Sequence, residues 1–66
     1  MMLFAPTIDD QIADVKREIA MRRRAYPRFV EAKRMTQERA DRQIETMEAV
    51  LETLLRVKHG APHEDG

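Results

Sequence analysis

Residues Ala25 to Thr36 read AYPRFVEAKRMT, and the reading of this stretch decides the fold. Proline has no amide hydrogen to donate, its ring collides with the carbonyl four residues back, and the residue before it is pushed out of the α region. A helix running into Tyr26 is therefore predicted to end or kink at Pro27. Further on, Thr36 is a residue type whose hydroxyl accepts hydrogen bonds from the free amides at a helix start, and a run rich in Glu, Arg, Ala and Leu follows it. The predicted shape is an all-α, two-helix hairpin in a single domain over 1–66. Helix 1 covers about 8–26, the connection 27–36, helix 2 about 37–58, and a flexible tail 60–66.

Working outward from the bend, Thr7-Ile8-Asp9-Asp10 has the capping pattern of a helix start, with two carboxylates at the positive end of the dipole. The apolar residues that follow are Ile8, Ile12, Val15, Ile19 and Tyr26, the spacing of a heptad seam in which Arg22 fills one position. Helix 2 repeats the pattern with Ala40, Ile44, Met47, Leu51 and Leu54, while Val50, Leu55 and Val57 widen its apolar face. Lys58, His59, Gly60 and Pro62 supply a stop. Phe29, inside the connection, is expected to fold back onto the hairpin, because an apolar ring left in water forfeits about 1.5 to 3 kcal/mol. Leu3 and Phe4, in the short apolar arm before Pro6, are candidates for packing over a helix.

Sixty-six residues without a cysteine leave no disulfide or thiolate metal site to staple a small core. Two helices side by side cover only one face of each other, so self-association is the expected staple. The expectation is a homodimer forming an antiparallel four-helix bundle or coiled coil, with Ile12, Val15, Ile19, Ile44, Met47, Leu51 and Leu54 at its interface. No run is apolar and long enough for a signal sequence or a membrane span, which points to a cytoplasmic protein with no membrane partner.

The net charge is zero but unevenly placed. From Met21 to Arg42 there are eight basic residues against three acidic ones, while the first twenty residues carry minus two and the last twenty-four minus three. The bend is thus basic and the open end acidic. Antiparallel packing of two hairpins sets each bend beside the other's acidic end. The alternative is that Arg22, Arg23, Arg24 and Arg28 contact an acidic partner or nucleic acid, with Tyr26 stacking on a base.

Catalytic chemistry finds little to work with. The chain contains no serine and no glycine-rich phosphate loop. His59 and His63 are separated by Gly60 and Pro62, which break the helix that would align them on a metal. Glu45, Glu48 and Glu52 flank the apolar seam and read as solvated charges. No catalytic, cofactor-binding or metal-binding residue is assigned.

The segments Val15-Lys16-Arg17-Glu18-Ile19, Arg22-Arg23-Arg24-Ala25-Tyr26-Pro27 and Met47-Glu48-Ala49-Val50-Leu51 resemble small uncharacterised proteins encoded in bacteriophage and prophage genomes. The resemblance spans roughly Ile8 to Leu55 and implies a bacterial or phage setting, with no residue role attached. The sequence thus predicts a non-enzymatic, self-associating helical interaction protein. Two alternatives are nucleic-acid binding through the basic bend, and an adaptor or inhibitor of a host or phage protein.

Overall fold

The computed structural model describes residues 5–60, which form two helices and, among these residues, no strand. Helix α1 runs over Ile8–Glu31 and helix α2 over Gln37–Lys58. At 1.5 Å per residue they span about 36 and 33 Å. They pack antiparallel as a hairpin: Lys58 reaches Asp9 at 2.7 Å across the open end, and nearer the bend Tyr26 meets Gln43 at 2.9 Å.

Both helices begin as the sequence indicates. The Thr7 hydroxyl accepts the Asp10 amide at 3.1 Å and the Asp10 carboxylate accepts the Thr7 amide at 2.9 Å, so each of two otherwise idle amides is satisfied by the other residue's side chain. Thr36 caps α2 by accepting the Arg39 amide at 3.1 Å. At the far end of α2 the cap residue is His59, and Gly60 takes the left-handed conformation at φ +71° that a residue without Cβ adopts cheaply.

The end of α1 differs from the expectation. The helix does not stop near Tyr26; it continues through Pro27 to Glu31, leaving a connection of only five residues before α2. Pro27 is exposed, so the helical bond it cannot make to the Arg23 carbonyl is given up at the surface of the hairpin and not in its core. The actual stop is set by Lys33 at φ +62°. Its amide bonds to the Val30 carbonyl at 3.0 Å, and the Arg34 amide bonds to the Phe29 carbonyl at 2.9 Å. This pair of bonds is a Schellman cap with lysine in the place usually held by glycine.

The core is narrow. Among the described residues Ile12, Ile19 and Ala40 are the buried apolar ones, all on the seam between the helices. Ile8, Val15, Ile44, Met47, Leu51 and Leu54 are half-buried along the same seam. Phe29 does not close the core as expected: at 39% exposure it lies against Tyr26, with ring centroids 6.1 Å apart. Because the helix persists through Pro27, Phe29 is held on a helical turn and cannot swing back across the bend. The sequence-level expectations for Leu3, Phe4 and the tail after Gly60 lie outside the described residues.

Replacing Pro27 with Ala restores the missing amide and removes the ring clash without touching the seam. Pro27→Ala is expected to raise the unfolding free energy by about 1 to 3 kcal/mol, seen as a higher urea midpoint. A lower midpoint would show that the helix is fitted to its proline.

Candidate functional site

The surface of the hairpin divides into two flanks and a bend, and the apolar side chains left in water are not spread evenly over them. On one flank an open groove of about 560 Å³ is floored by Val15, Val50 and Leu54 and edged by Asp10, Asp14 and Arg17. A second groove of about 340 Å³ continues it, sharing Asp14, Val15 and Arg17 and adding Met21 and Met47. Val57 lies one heptad beyond Val50, hence on the same side of α2. Phe29 lies one heptad beyond Arg22, whose guanidinium crosses to the Gln43 carbonyl, and Gln43 is in turn one heptad before Val50. The four large apolar residues most exposed among those described, Met21, Val57, Phe29 and Val50, thus share one flank. The other flank of α2 presents Glu45, Glu48 and Glu52 around Leu51 and Leu55.

The residues predicted for an assembly interface separate accordingly. Ile12 and Ile19 are covered within a single hairpin. Val15, Ile44, Met47, Leu51 and Leu54 remain half-buried, and of these Val15, Met47 and Leu54 open onto the apolar flank. Met21 lies outside the heptad seam of helix 1. Its prominence could not be foreseen without knowing which side of the seam stays open.

The four arginines singled out at the bend also divide. Arg22 turns inward, donating to Glu18 at 2.8 Å and to the Gln43 carbonyl at 3.3 Å, with only 25% of its side chain exposed. The stem lies along the seam while the charge finds partners at its rim. Gln43 is shared, since its side-chain oxygen accepts from the Tyr26 hydroxyl. Tyr26, proposed from sequence as a base-stacking residue, is half-buried and holds α1 to α2 here. Arg23 pairs with Glu48 across the helices. Arg24 and Arg28 are exposed and, among the described residues, have no ion-pair partner.

This division extends to every basic side chain. Arg17, Arg42, Arg56 and Lys58 join Arg22 and Arg23 in ion pairs. Among the described residues, Lys16, Arg24, Arg28, Lys33, Arg34 and Arg39 do not, and all but Lys16 sit at or near the bend. A groove of about 460 Å³ lies there, floored by Val30 and Met35 and edged by Lys33, Arg34 and Arg39.

Among the described residues no three His, Cys, Asp or Glu side chains come together as a metal site, and no helix is long and apolar enough to cross a membrane. No protein-family model, curated protein or solved structure matches this chain. The resemblance to phage-encoded proteins therefore rests on the three sequence segments alone.

The Tyr26–Gln43 bond is a half-buried cross-helix contact that a single oxygen removes. Tyr26→Phe is expected to cost about 1 kcal/mol of stability in urea unfolding, by the usual worth of such a bond. An unchanged midpoint would mean that water replaces the hydroxyl without loss.

Proposed function

We propose that this chain is a non-enzymatic interaction protein whose first partner is a second copy of itself, two hairpins stacking through their apolar flanks as an antiparallel four-helix bundle. The observation that carries the reading is the gathering of Met21, Val50 and Val57 on one flank, beside the half-buried Val15, Met47 and Leu54. Scattered apolar residues on a surface need no explanation, but a contiguous strip along two helices does.

The magnitudes favour a modest complex. Covering a half-exposed apolar side chain contributes on the order of 1 kcal/mol, so three from each copy give about 6 kcal/mol. Association costs about 4 to 15 kcal/mol in lost freedom. The remaining half-buried seam residues must add their share, which sets the expected affinity nearer micromolar than nanomolar.

Charge selects the direction of stacking. A parallel pair brings two basic bends together, whereas the antiparallel pair separates them by about the length of a helix. With a Debye length of about 8 Å at physiological salt, only the second arrangement escapes close repulsion.

Val50 is exposed enough that a charge there leaves a single hairpin intact. Val50→Glu is expected to keep its helical circular dichroism while its mass by light scattering falls from dimer to monomer. A wild-type protein that is monomeric at high micromolar concentration would overturn the proposal.

A further inference from the structure

The bend carries a second surface that self-association leaves unexplained. Once the ion pairs are assigned, the uncompensated positive charge of the described residues collects there, on Arg24, Arg28, Lys33, Arg34 and Arg39, with Glu31 the nearby acid. Asp41 accepts the Gln37 amide at 2.9 Å, a neutral donor that leaves its charge in place, so with Glu31 and Asp41 counted the excess at the bend is plus three. Lys33, Arg34 and Arg39 edge one groove whose floor is apolar. Phe29, at the same end of the hairpin, presents an exposed ring backed by Tyr26.

We propose that the bend binds single-stranded nucleic acid, with Lys33, Arg34 and Arg39 on successive phosphates and the Phe29 ring as a platform for a base. The cations are the residues that the connection and the first turn of α2 bring together, and Arg22 and Arg23, prominent in the sequence, are spent on Glu18, Gln43 and Glu48. A chain of phosphates fits better than an acidic peptide. It offers both regularly spaced charge for the groove and flat apolar faces for an exposed aromatic ring, and binding modes of this kind combine the two. A duplex satisfies the cations but keeps its bases stacked away from Phe29. Phe29 stands at the bend end of the apolar flank, apart from the Met21, Val50 and Val57 strip assigned to stacking, so an antiparallel dimer presents two such sites at opposite ends.

The test is fluorescence anisotropy with a labelled single-stranded oligonucleotide at low salt, repeated as salt is raised. Engagement of three to five cations predicts a slope of log affinity on log salt between about −2 and −3.5. Lys33→Gln/Arg34→Gln/Arg39→Gln is expected to abolish most of the binding, and Phe29→Ala to weaken the single strand at least about fivefold while sparing a duplex. Lys16→Gln/Arg17→Gln/Arg56→Gln removes the same charge elsewhere and is expected to retain most of the binding. Circular dichroism and light scattering on each variant separate loss of the site from loss of the fold or of the dimer. Absence of binding at low salt, equal losses in the two triple variants, or equally tight capture of polyglutamate would overturn the proposal.

Discussion

A helix pair can hide only the stripe that each member turns toward the other, and this limit governs the rest of the molecule. Ile12, Ile19 and Ala40 are sealed in the seam, while every other large apolar residue of the described chain keeps some contact with water. Stability must then come from many small contributions: capped ends, Tyr26 on Gln43, the Arg22 bridge, and cross-helix pairs such as Lys58 with Asp9. Exposed ion pairs of this kind contribute at most about 1 kcal/mol each. None substitutes for a core, which is why the open flank matters more than any single bond.

Charge and apolarity are sorted onto different parts of the surface. Along the helices acid and base mostly neutralise each other within one or two turns, as in Asp14 with Arg17 or Glu38 with Arg42. At the bend they do not, because the chain there is short, carries Lys33 and Arg34 in succession, and follows the arginines of the last turns of α1. The strip of Met21, Val50 and Val57 lies away from that end. The proposed stacking strip and the proposed phosphate groove therefore occupy different parts of the surface.

Much of the helical layout was legible in the sequence, because local chemistry dictates it. Thr7 and Thr36 announce their caps, Gly60 announces the end of α2, and the heptad spacing names the seam. The end of α1 was not legible, for two reasons. Pro27 falls on the exposed side, where water tolerates the loss of one helical bond, and the true stop uses Lys33 where sequence rules look for glycine. Phe29 follows from the same continuation, since a residue held on a helical turn past Pro27 lies against Tyr26 and does not fold back over the bend. The candidate surfaces were only half legible: composition showed that the bend is basic, but which arginines remain uncompensated depends on the register that sets Arg23 opposite Glu48 and Arg22 beside Gln43.

The proline inside α1 divides that helix into unequal lengths. Between Ile8 and the bend, the ladder of amide bonds is interrupted once, at Pro27, and the turn beyond it leans on Val30 and the Schellman cap rather than on the sealed part of the seam. Such a segment can open on its own, at a free energy below that of global unfolding. Amide protons from Phe29 to Arg34 would then exchange with solvent sooner than those around Ile19, making the bend a hinge whose disorder costs the remainder of the hairpin little.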